Sequence, residues 1–106
     1  MKKRKPIIWT DPAKADFRDI YESISFSAPM RAKRVRAKLK KLVKSLNLFP
    51  EKYSRVPELS DVDGNFRSVT KWNYKIIYEI TDKYIIIQYI HHTSMDPDNI
   101  RKAIIN

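Results

Sequence analysis

The sequence predicts an α+β domain in which a two-helix hairpin packs on one antiparallel sheet, in the order β-α-α-β-β-β-α. Two observations carry this. Residues 12–48 hold two stretches whose apolar side chains recur at three- and four-residue spacing, the period of an amphipathic helix. Residues 66–90 hold three successive runs rich in β-branched and aromatic side chains, separated by hairpin-sized links. With 106 residues and no linker, repeat or low-complexity block, one domain is expected over residues 6–106, after a mobile basic tail at residues 1–5.

Taken in order, PIIWT at Pro6–Thr10 has few polar groups and is expected to be a short strand buried on both faces. Asp11-Pro12 marks a helix start, with Asp11 as N-cap and Pro12 in the first helical position. Ala13, Phe17, Ile20, Tyr21 and Ile24 form the apolar stripe of a helix over residues 12–26. Ser27-Ala28-Pro29 ends it, and a second helix follows over residues 30–48. The short link makes the two an αα-hairpin with both seams facing the sheet. Pro50, Pro57 and Asp63-Gly64 keep residues 47–64 irregular. Phe66–Trp72 alternates, with Arg67, Val69 and Lys71 on one side. Tyr74–Ile80 and Tyr84–Ile90 follow as an antiparallel meander, and the nearly all-apolar Tyr84–Ile90 is expected at the centre of the sheet. Asp96-Pro97 repeats the cap-plus-proline start, opening a short helix with Ile100, Ala103, Ile104 and Ile105.

Charge narrows the function classes. Lys and Arg number 22 against 12 acidic residues, a net charge of +10. Twelve of those cations sit in Lys2–Lys5 and in the run RAKRVRAKLKKLVK, Arg31–Lys44. No acidic residue occurs between Glu22 and Glu51. The run therefore reads as an amphipathic helix with a one-sign outer face, which attracts nucleic acid or an acidic protein. Ordinary solvated helices mix signs to gain i,i+4 pairs, so something negative is expected to offset this one. Arg34, Lys38, Lys41 and Lys44 on it, with Arg55 and Tyr74, are the expected contacts to nucleic acid or another target. The absence of cysteine excludes disulfides and thiolate metal sites. A single glycine excludes the glycine-rich phosphate loops. No apolar stretch approaches a membrane span, and the PIIW after the basic N-terminus is too short for a signal peptide. A cytoplasmic location and no membrane partner are expected.

His91 and His92 are adjacent, so a regular strand points them to opposite faces and they do not jointly ligate a metal. No metal or cofactor is expected. Which histidine faces a site stays open, because a bulge at the strand end swaps them. Metal-free RNA cleavage needs a base for the 2′-hydroxyl, cations for the phosphorane and an acid for the leaving oxygen. Glu58, Arg67 with Lys75, and His92 supply those types. The same residues also fit an ordinary polar surface.

Four stretches carry a resemblance to the RelE/ParE superfamily of toxins from bacterial type II toxin–antitoxin (plasmid stabilisation) modules. They are IIWTDPAKADFRDIYESI (Ile7–Ile24), LFPEKYSRVPEL (Leu48–Leu59), FRSVTKWNYKIIYEI (Phe66–Ile80) and IIIQYIHHTSMDP (Ile85–Pro97). The resemblance implies a small basic toxin that inhibits growth, is neutralised by a cognate acidic antitoxin and assembles with it. It implies action on translation, by ribosome-dependent mRNA cleavage, or on DNA gyrase without catalysis. Under the ribonuclease branch, Glu58, Arg67, Lys75 and His92 match catalytic or phosphate-contacting positions. Tyr53-Ser54 replaces a usual glycine in the loop, and Ser94 stands where many members carry arginine. These departures weigh against cleavage, and the His-Thr-Ser-Met-Asp ending lies nearer the ParE side. The rival reading is a non-toxic basic nucleic-acid-binding domain.

Overall fold

The structure is a computed structural model and describes residues 4–94 and 97–105. Its elements are β1 (Ile7–Trp9), α1 (Asp11–Ser25), α2 (Pro29–Ser45), 3-10 turns at Pro50–Lys52 and Pro57–Leu59, β2 (Asn65–Lys71), β3 (Tyr74–Ile80), β4 (Ile85–His92) and α3 (Pro97–Ile105). The β-α-α-β-β-β-α order is the expected one.

The sheet order is β1-β4-β3-β2. Tyr84–Ile90 does supply a central strand, because residues buried on both faces need neighbours on both edges. The sheet is mixed rather than antiparallel throughout. β1 runs parallel to β4, with Ile7 opposite Ile85 and Trp9 opposite Ile87. The chain leaves β1 through the helical hairpin and returns beside it only as the third strand of the meander. β1 is thus an edge strand, and it is not buried on both faces: Ile8 is 41% exposed.

Both helices cover one face. Ala13, Val35, Leu39, Val43 and Leu46 meet Val69, Ile76, Tyr78, Ile85, Ile87 and Ile90 there, with Phe17 packed edge to face on Trp9. The opposite, outer face is closed by the second 3-10 turn and α3, through Val56, Leu59, Phe66, Ile77 and Ile100. Helix α1 starts one residue earlier than expected. Its N-cap is Thr10, whose hydroxyl accepts the Ala13 N–H at 3.2 Å, and Asp11 lies inside the helix. Helix α2 stops at Ser45 rather than residue 48; Leu46 still plugs the core from the turn that follows. The Asp96 cap expected for α3 lies outside the described residues, as does residues 1–3 of the expected tail. Lys5 is tied down: its ammonium donates to Thr81 O at 2.7 Å, and its carbonyl accepts from Asn47.

The irregular segment between α2 and β2 is held by side chains from the sheet. The buried Tyr78 hydroxyl donates to Pro50 O at 2.6 Å, and burial pushes its phenol up to about 12. Gly64 turns the chain into β2 at φ 129°, where a Cβ would lie 2.7 Å from the Phe66 ring.

Candidate functional site

Residues on the outer face of β2, β3 and β4 line up in one row. Thr70 stands opposite Lys75, and Lys75 opposite His91. The Pro57–Leu59 turn, anchored by buried Leu59 and by the Val56 N–H on Phe66 O, carries Glu58 over that row. The result is a cavity of about 180 Å³ lined by Glu58, Thr70, Lys75, His91, His92, Thr93 and Ile100.

A bulge decides which histidine enters. Unbroken alternation along β4 would put His91 with Ile85 and Ile87 on the helical face. Instead Ile77 pairs with Tyr89 and Tyr78 with Ile87, leaving Gln88 without an opposite residue. From there the faces exchange. His91 joins Tyr89 on the outer face, stacked at 5.4 Å with 14° between the rings. His92 lands beside Tyr74 in an edge-to-face contact at 5.8 Å and meets the cavity only from the strand end. β1 has ended by this point, so β4 backbone groups need other partners. The Thr10 hydroxyl donates to Gln88 O at 2.9 Å, and Asp16 accepts the Ile90 N–H at 2.9 Å. Two side chains near the start of α1 therefore clamp the bulge.

The cavity is polar and undersatisfied. Among the described residues, Glu58 Oε2 and His91 Nε2 are buried without a hydrogen-bond partner. His91 is only 9% exposed. Burial pushes its pKa below the ordinary histidine value, Asp16 draws it back up and Lys75 pushes it down. Burial thus favours the neutral imidazole. A histidine with a depressed pKa contributes stability above 6.5, its ordinary value, and loses it as pH falls through the folded pKa. Acidification below that value is thus expected to lower the urea midpoint, and His91→Gln to lower it less over the same range.

Of the residues singled out in the sequence, Glu58, Lys75 and His92 line this cavity, and Arg67 does not. Arg67 shares the helical side of β2 with Val69. Its guanidinium donates to Glu51 O at 3.1 Å, Tyr53 O at 2.7 Å and Asn65 Oδ1 at 3.0 Å. Arg55 is exposed and donates to Gly64 O. Tyr74 lines a second cleft, between the helices and the β2–β3 turn. Arg34, Lys38, Lys41 and Lys44 are exposed on α2. Among the described residues the one ion pair is Arg101 with Asp61, which holds that carboxylate low and that guanidinium high, so the α2 cations have no carboxylate partner. Alternation along β2 already puts Thr70 on the face opposite Arg67 and Val69, the cavity side, whereas His91 and Thr93 lie beyond the bulge and escape it; the polar Gln88 inside an apolar strand is the signal that could have found the bulge. Among the described residues no cluster of three metal-ligating side chains occurs, and no helix is long and apolar enough to cross a membrane.

Comparison with known proteins follows the same lines. The chromosomal ParDE toxin–antitoxin system from P. aeruginosa shares the fold with a TM-score of 0.70 at 25% identity, over 84% of this chain and 96% of that one. The toxin–antitoxin complex RelBE2 from Mycobacterium tuberculosis matches with a TM-score of 0.63 at 17% identity, over 85% and 99%, a likeness of fold alone. No curated protein matches. The architecture is that of a RelE/ParE superfamily toxin. More narrowly, the chain belongs to the ParE toxin family of type II toxin–antitoxin systems, whose model matches residues 7–97.

Proposed function

We propose that this chain arrests growth by binding DNA gyrase rather than by cutting RNA, and that a cognate acidic antitoxin neutralises it. The position of Arg67 carries the choice of target. Cleavage of a phosphodiester needs cations where the phosphorane forms. Arg67 is bound to two loop carbonyls and Asn65 on the far side of the sheet, which leaves Lys75 as the one Lys or Arg among the described residues that lines the cavity. Membership of the ParE family and the likeness to a ParDE system support the same reading. The antitoxin reading rests on the α2 cations, which have no acidic partner among the described residues.

Ribosome-dependent mRNA cleavage is the second reading, favoured by the grouping of Glu58, Lys75 and His91 in one cavity. Brief expression in bacteria separates the two. A DNA-damage response with intact messages is expected. Messages cut at ribosomes with intact DNA would establish the ribonuclease instead, and normal growth would leave a basic nucleic-acid-binding domain. Co-expression of a neighbouring reading frame encoding a small acidic protein is expected to restore growth.

A further inference from the structure

We propose that the tip of the helical hairpin and the β2–β3 turn together form the surface that grips gyrase, by taking an acidic segment with a large apolar side chain into the cleft between them. This rests on the gyrase reading above. The first observation is Trp72. It begins the two-residue Trp72-Asn73 turn at φ 54°, the left-handed region that costs a bulky side chain about 1–2 kcal/mol and suits Asn or Gly better. Despite that cost it holds a tryptophan that is 47% exposed, with the Lys71 ammonium 5.0 Å from its ring centre. Backbone strain kept under a half-exposed tryptophan points to function rather than to packing.

The second observation is the company Trp72 keeps. With Asn73 and Tyr74 it faces Ile24, Arg31 and Val35 across a cleft of about 320 Å³. Phe26, two residues beyond Ile24, is 94% exposed, and Met30, next to Arg31, is 73% exposed. Three of the seven large apolar side chains exposed among the described residues thus lie in or within two residues of one cleft. Tryptophan, phenylalanine, methionine and arginine are the types enriched at the centre of protein interfaces. Among the described residues no carboxylate lines the cleft, while Arg31 lines it and Lys71 lies against the Trp72 ring, so the complementary segment is acidic. The exposed apolar side chains at and beside the cleft distinguish this tip from the length of α2, whose exposed face offers cations but no aromatic side chain.

The test uses Trp72→Asn combined with Phe26→Ser and Met30→Gln in the full chain. Asparagine tolerates the left-handed turn, and the other two positions are exposed, so the thermal midpoint is expected to hold. Inhibition of supercoiling by purified gyrase is expected to need at least about tenfold more variant, the size of one lost hot spot, while binding of the co-purified antitoxin changes little. Equal inhibition by wild type and variant overturns the assignment and leaves the gyrase reading standing. A wild-type protein that does not inhibit gyrase overturns that reading, and this assignment with it. Loss of antitoxin binding with gyrase inhibition intact gives the tip to the antitoxin. A parallel tenfold loss of affinity for duplex DNA alone gives it to nucleic acid.

Discussion

Replacing Arg67 with alanine is expected to destabilise the fold by about 2–3 kcal/mol, lowering the urea midpoint by about 1–2 M. The guanidinium donates to Glu51 O, Tyr53 O and Asn65 Oδ1, two of these bonds in partly buried surroundings. Charge-assisted bonds of this kind contribute about 1.5–3 kcal/mol each when buried, and partial exposure discounts the sum. Alanine also leaves two loop carbonyls without their donor. Tyr78, from β3, holds the neighbouring Pro50 carbonyl, so the loop would keep one anchor and loosen rather than detach. Arg67→Lys is expected to recover less than half of the loss, because a single ammonium does not reproduce the planar guanidinium that reaches Asn65 through Nε and the two carbonyls through Nη1. Circular dichroism in urea measures both. Unchanged stability in Arg67→Ala together with lost toxicity would assign the residue to the target instead of the loop.

Arg67 also shows what was legible in the chain and what was not. Alternation placed Arg67, Val69 and Lys71 on one side of a strand, and β2 bears this out. Val69 is apolar and must face a core, which already puts Arg67 at the margin of that core and away from the opposite face. Residue type alone groups Arg67 with Glu58, and type carries no information about faces. The helices and three later strands were legible because period is a strong local signal. The parallel pairing of β1 is a contact between residues about 78 positions apart, such as Ile7 and Ile85, and nothing local encodes it. The N-cap was displaced by one because Thr10 and Asp11 are both good caps, and only the hydroxyl at Thr10 reaches Ala13. The acid-free helix predicted unpaired cations, and none of them finds a carboxylate among the described residues.

The largest gap between sequence and site is the bulge, and a pair of substitutions at Asp16 tests what holds it. Asp16→Leu is expected to cost about 2 kcal/mol, because the Ile90 N–H would stay buried without an acceptor. Asp16→Asn keeps a carbonyl oxygen for that N–H and is expected to stay within about 1 kcal/mol of wild type. The charge itself is a burden in this position. Burial raises the Asp16 pKa above 3.8, against the lowering effects of the Ile90 N–H and of His91, with Asp19 raising it further. A carboxyl with a raised folded pKa holds its proton longer in the folded chain. Stability therefore falls as pH climbs from 3.8 through the folded pKa, opposite in sign to the His91 effect. Asp16→Asn should abolish that part of the pH dependence. It should also lower the His91 pKa further, since the Asp16 charge draws it upward. Titration of the His91 ring signals by NMR reads this directly. If Asp16→Asn moves the His91 titration while unfolding stays close to wild type, the clamp tunes the cavity as well as shaping it. A folded Asp16→Leu variant that keeps the Tyr89–His91 stacking shifts would mean that Gln88 and the strand hold the bulge without help from α1.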